Sequence, residues 1–144
     1  MKLWFYKASK GNITDKTIAW WTKGPYSHVE LVFSDGECFT SSNRDGGVRF
    51  KVIPPSDNWD VVTLPMDFNE AEVKSYCNQF LGYKYDLLGC LGLAIGDPKL
   101  RDKKRWYCSE IVINVLNHFT DLKFPGQLSP NRFYDQTIYK MIGS

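Results

Sequence analysis

The chain has 144 residues, 43% of them hydrophobic and 15% aromatic. That is enough for one domain, spanning 1–144, with a core of its own, and it excludes a disordered chain. Lys and Arg number 18 against 16 Asp and Glu, a net charge of +2. This balance gives no argument for nucleic acid or an anionic membrane as partner.

Four cysteines, Cys38, Cys77, Cys90 and Cys108, are too far apart for a C-x-x-C motif. The common zinc and redox spacings are therefore absent, and no cofactor or metal is expected. The first residues, Met1 to Lys7, lack the pattern of a signal peptide. We expect a cytoplasmic protein with reduced thiols. The longest apolar run, Leu87 to Ile95, is far shorter than the ~20 residues of a spanning helix, so no stable membrane insertion is expected.

In chain order, Leu3 to Tyr6 reads as a short aromatic strand. Asp15 to Lys23 reads as a short helix stopped by Gly24-Pro25. Four strands follow: Ser27 to Phe33, Glu37 to Ser42, Val48 to Ile53 and Trp59 to Leu64. Asp35-Gly36 is a hairpin signal, and Pro54-Pro55 ends the third of these strands. Tight turns between them predict an antiparallel meander.

The second half has helical periodicity. Asn69 and Glu72 have the spacing of a capping box. Val73, Tyr76, Cys77, Phe80 and Leu81 then form a stripe ending at Gly82. Tyr83 to Tyr85 is a connector, Leu87 to Ile95 a short apolar helix, and Asp97 to Arg105 polar and basic. Tyr107 to Phe119 is the strongest helix, with Ile111, Val112, Val115, Leu116 and Phe119 on one face. The tail from Asp121 carries Pro125-Gly126 and Ser129-Pro130. Strands first and helices later make an α+β fold with segregated layers.

Cys108 opens the strongest helix, where unpaired amides and the helix dipole favour a thiolate, the reactive form of cysteine. A buried cysteine at a helix start is more often a small hydrophobe. Of the two histidines, His118 lies ten residues further along the same helix, roughly 15 Å away. That leaves His28, on a strand, as the partner for Cys108. Glu30 shares a strand face with His28, but their spacing of ~7 Å is long for a direct hydrogen bond. Across the hairpin, His28 is expected opposite position 42 or 43, with Thr40 to Asn43 in range. Glu30 and the residues from Thr40 to Asn43 are thus alternative orienting groups for the imidazole.

These residues resemble a family. Tyr26-Ser27-His28-Val29-Glu30-Leu31-Val32-Phe33, followed later by Tyr107-Cys108-Ser109-Glu110-Ile111-Val112, resembles the circularly permuted branch of the NlpC-type papain-like superfamily. That branch holds the YiiX/YebB-like hydrolases and lecithin retinol acyltransferase. In it the His strand precedes the Cys helix, as here. Gly82-Tyr83-Lys84-Tyr85-Asp86 and Ser129-Pro130 are similar to its Gly-x-x-Tyr-Asp segment and its C-terminal Ser-Pro turn.

The resemblance implies a papain-like antiparallel sheet with the catalytic Cys at the N-terminus of a packed helix. It implies Cys108 as nucleophile and His28 as base. Its third polar residue falls on Thr40 or Ser41, where relatives often carry His, Glu, Asn or Gln, and relatives often have Gly at the place of Glu30. Tyr26, Tyr85 and Tyr107 are expected to line the cleft. The implied reaction is acyl transfer, as an amidase or peptidase on a cell-wall-type peptide. The alternatives are a lipid acyl hydrolase or acyltransferase, or a non-catalytic lipid- or peptide-binding module on the same fold. A zinc site of His28, Glu30, Cys38 and Cys108 has the wrong spacing. The absence of an export signal remains compatible with a phage-encoded enzyme.

Overall fold

Side chains alternating between two faces govern the first half of the chain, and helical stripes govern the second. The computed structural model describes residues 1–11, 24–86 and 105–142. Strands β1 (Lys2–Lys7), β2 (Tyr26–Val32), β3 (Glu37–Ser42), β4 (Gly47–Val52) and β5 (Trp59–Thr63) form an antiparallel sheet in the order β4-β3-β2-β1-β5. Helix α1 (Glu70–Asn78) follows, then a short parallel pair, β6 (Lys84–Tyr85) and β7 (Arg105–Trp106). Helices α2 (Cys108–Phe119) and α3 (Pro130–Ile142) complete a mixed α+β fold. The expected helix over Asp15 to Lys23, the Leu87 to Ile95 segment, Cys90 and residues 97–104 of the basic stretch lie outside the described residues.

The meander holds for β2, β3 and β4 but not for β5, which pairs with β1 on the far side of the sheet. Pro54 and Pro55 end the pairing at β4, because proline offers no N–H to a ladder. The chain then crosses to β1, where Lys7 N donates to Asn58 O at 2.9 Å. The β2–β3 turn is built as its Asp-Gly signal implies. Gly36 takes φ +88°, a left-handed conformation that glycine adopts without a Cβ clash. Phe33 N donates to Glu37 O at 2.9 Å.

One sheet face carries Leu3, Phe5, Val29, Leu31 and Phe39 into the main core, against Ile111, Val112, Val115 and Leu116 of α2. The opposite face buries Trp4, Val32 and Cys38 in a smaller cluster. The predicted cap of α1 is present: Asn69 Oδ1 accepts from Glu72 N at 3.3 Å. The tail departs from expectation, since Ser129-Pro130 opens a 13-residue helix. Proline at the first helical position has no N–H to lose there, and Ser129 Oγ accepts from Arg132 N at 3.3 Å. Helix α3 is tied to β2 by Asn131, which accepts from Tyr26 N at 2.7 Å and donates to Tyr26 O at 3.0 Å. Among the described residues, no helix is long and apolar enough to cross a membrane.

Candidate active site

Strands β2 and β3 pair at only two rungs, Leu31↔Phe39 and Val32↔Cys38. That register, extended, would set His28 level with Ser42, as the hairpin geometry predicts. The ladder stops short of it because the N-terminus of α2 enters where the strands part. Ser41 Oγ donates to Trp106 O at 2.6 Å, and Thr40 Oγ1 to Cys108 O at 3.4 Å. The Trp106 carbonyl also accepts from Asp86 N at 3.0 Å. The two hydroxyls thus hold the backbone on both sides of Tyr107. They do not hold the imidazole.

His28 comes from the parted end of β2, where Cys108 is close enough to act on the charge of its imidazole. Its Nε2 lies 2.5 Å from Glu30 Oε2. Of the alternatives, Glu30 makes this contact, although the strand spacing is long for a direct hydrogen bond. Strand spacing separates the Cα atoms, but the long side chains lean together across one repeat. Glu30 is fully buried, and it is the group that meets the imidazole.

Arg49 is the partner that sequence reasoning missed. Its Nη1 and Nη2 donate to the two Glu30 oxygens at 2.6 and 2.7 Å. Its Nε donates to Asp45 Oδ2 at 2.9 Å, and Lys51 Nζ donates to Asp45 Oδ1 at 3.1 Å. A signal was present. In β4, Val48 and Phe50 alternate with Arg49 and Lys51, and Arg49 is level with Thr40. A bidentate arginine is the usual partner of a buried carboxylate.

Burial alone would raise the Glu30 pKa, but the hydrogen bonds from Arg49 and His28 and their charges hold it below the usual carboxylate value. Burial likewise disfavours a charged His28. The hydrogen bond and charge of Cys108, then those of Glu30, outweigh it and push His28 up to about 10. The arrangement is a chain of alternating charge from Lys51 through Asp45, Arg49 and Glu30 to His28.

A cleft of about 370 Å³ opens on this face, lined among others by Tyr6, His28, Glu30, Arg49, Trp59 and Tyr85. Tyr85 is placed as expected. Tyr26 is not: it packs against Phe5 and Tyr134, and its hydroxyl donates to Asp60 Oδ2 at 2.5 Å. The register of β1 and β2 shifts between Tyr6 and Lys7, and this turns Tyr26 to the core side. Tyr107 is also not a lining residue. It is 1% exposed and is the N-cap of α2. Cys108 is 2% exposed and is not among the residues lining the cleft. His28 lines the cleft and is also the group on whose charge Cys108 acts.

His118 stacks on Tyr76 at 4.0 Å between ring centroids, near the other end of α2. The alternative zinc set is not assembled: among the described residues, no three His, Cys, Asp or Glu side chains are grouped to hold a metal. The geometry thus joins His28 to Glu30, with Cys108 acting on the charge of the imidazole, and ties Thr40 and Ser41 to the backbone on either side of Tyr107. Comparison with family models, curated proteins and solved structures finds no match to the chain.

Proposed function

We propose that the chain is a cysteine hydrolase of circularly permuted, papain-like NlpC type that works by acyl transfer. The observation that carries this reading is the His28 imidazole bonded to the buried Glu30 carboxylate, with Cys108, at the first turn of a helix, acting on its charge. Such a base, oriented by a third group, is the general requirement for an activated thiol.

The Cys108 thiolate attacks the substrate carbonyl carbon, and the C–O π pair moves onto oxygen. The backbone N–H of Cys108, outside the helix's own ladder, is one donor to that oxyanion. Collapse expels the leaving group, which takes its proton from the His28 imidazolium. The acyl group is then a thioester on Cys108. Neutral His28 next removes a proton from water as the water attacks. Breakdown of the second intermediate releases the acid and restores the thiolate–imidazolium pair.

The cleft favours a peptide or related amide over an acyl chain. Beside the apolar Ile53 and Trp59 it presents Glu30, Asp45, Arg49 and Lys51, groups that recognise amides and charges. A second reading, a binding module without turnover, is favoured by the 2% exposure of Cys108.

One experiment separates the two. Each cysteine is alkylated with iodoacetamide across pH and mapped by mass spectrometry, in wild type and His28→Ala, alongside digestion of soluble cell-wall muropeptides. The hydrolase reading expects Cys108 to label faster than Cys38 and Cys77, with about 10²-fold loss in His28→Ala. It also expects amide cleavage that Cys108→Ala abolishes. His28-independent labelling together with intact muropeptides refutes it in favour of the binding module.

A further inference from the structure

Glu30 orients His28, and Glu30 is itself held from one side. Two of its hydrogen bonds come from the Arg49 guanidinium and one from the imidazole. Arg49 uses its remaining edge on Asp45, which Lys51 also holds. The planar fork therefore fixes the carboxylate plane. We propose that Arg49 is a positioning residue, acting through Glu30 to fix the orientation of the His28 imidazole and the charge it faces. This rests on the cysteine-hydrolase reading of the same site.

The physical argument is one of geometry. A lone buried carboxylate rotates about its last bond and has several ways to meet an imidazole. Two parallel N–H···O bonds to a rigid fork leave only one. Oε2 receives both Arg49 Nη2 and His28 Nε2, so the ring is aligned by the same atom that the fork fixes. Without Arg49, the carboxylate is buried with no counter-charge except the imidazolium, and burial drives it toward its neutral form. The ring then loses both its alignment and its charged partner.

The groups that face His28 and Glu30 come from several elements. Arg49 lies on β4, Cys38 on β3 and Cys108 on α2, while Asp45, in the turn before β4, is bonded to Arg49. Lys51 acts at one remove, through Asp45. Of these, only Arg49 touches both carboxylate oxygens.

Arg49 also lines the cleft, and its side chain is 15% exposed. Truncating it opens a socket to solvent that a free guanidinium ion fits. The test measures iodoacetamide labelling of Cys108 between about pH 5 and 10 in wild type, Arg49→Lys and Arg49→Ala, with thermal melts in parallel. We expect Arg49→Lys to stay folded, to label at least about tenfold more slowly at neutral pH, and to show a displaced pH profile. We expect guanidinium chloride at tens of millimolar to restore labelling of Arg49→Ala, and sodium chloride at equal ionic strength not to. Folded Arg49 variants with wild-type rates and pH profiles overturn the proposal while leaving the hydrolase reading intact. Rate losses that track only the unfolded fraction, with no rescue, overturn it as well. Wild-type Cys108 labelling no faster than Cys38 overturns both, because no activated pair then exists for Arg49 to position.

Discussion

Replacing Glu30 by Gln changes one oxygen to an NH₂ and leaves the side chain's shape nearly intact. The carboxylate now accepts at 2.6 and 2.7 Å from Arg49 and at 2.5 Å from His28. A glutamine has one acceptor oxygen for these three donors. Its NH₂ must then face an Arg49 N–H in either orientation, and in one of them the imidazolium N–H as well, donor against donor. Removing one partner of a buried ion pair costs about 3–5 kcal/mol. Arg49 keeps Asp45 and some solvent, so we place the loss at the lower end, about 3 kcal/mol. For a chain of this length that lowers the melting temperature by about 10 °C. His28 loses the hydrogen bond and charge of Glu30, so its pKa falls, and Cys108 labelling at neutral pH falls with it. Thermal denaturation, NMR titration of the His28 ring and peptide-mapped alkylation read the three effects. Glu30→Asp keeps the charge but loses reach, so it should retain more stability than Glu30→Gln. Unchanged melting together with an unchanged His28 titration in Glu30→Gln would show that the carboxylate is a bystander.

Three further outcomes are expected. His28 sits above its unfolded value of 6.5, at about 10, so the folded chain holds that proton more tightly. Its contribution to stability is full below about pH 6.5 and is lost as pH rises through about 10. Urea midpoints should therefore fall more between these limits in wild type than in His28→Gln, and equal slopes would contradict the shift. Ser41→Ala removes the partly buried bond to the Trp106 carbonyl at 2.6 Å, which should cost about 1 kcal/mol by urea denaturation and slow Cys108 labelling. An unchanged labelling rate would mean that this hydroxyl does not position the cysteine. His118→Ala should lower the melting temperature slightly, through the lost stack on Tyr76, and leave Cys108 labelling unchanged. A large loss of labelling would mean that His118 acts at the site.

The core was legible in the sequence because it rests on local periodicity. Alternation along β1 to β5 and the Ile111, Val112, Val115 and Leu116 stripe of α2 each bury one face, whatever their partners are. The capping of α1 by Asn69 and the Asp35-Gly36 turn are likewise local chemistry. Helix α3 has an equally local signal, since Ser129-Pro130 is an N-cap followed by a helix-start proline, although the same pair also suits a turn. Cys108 at a helix N-terminus and His28 on a strand followed from residue type and element.

What the sequence left open depended on distance between segments far apart in the chain. Whether Glu30, Thr40 or Ser41 meets His28 turns on where β2 and β3 separate, and the packing of α2 sets that point. The alternation of β4 sets Arg49 on the face opposite Val48 and Phe50, but it does not name its partner. Arg49 becomes a partner of Glu30 only because the β3–β4 register places it beside Thr40. Tyr26 changes faces because a one-residue shift against β1 reverses its side chain. The crossing of β5 to β1 is a choice of sheet edge, which alternation alone does not encode. Sequence by itself determined which residues want burial, a turn or a cap, because those preferences act over a few bonds. Only the tertiary structure decided which charges share one buried space, because that depends on strand register and on the helix that parts two strands.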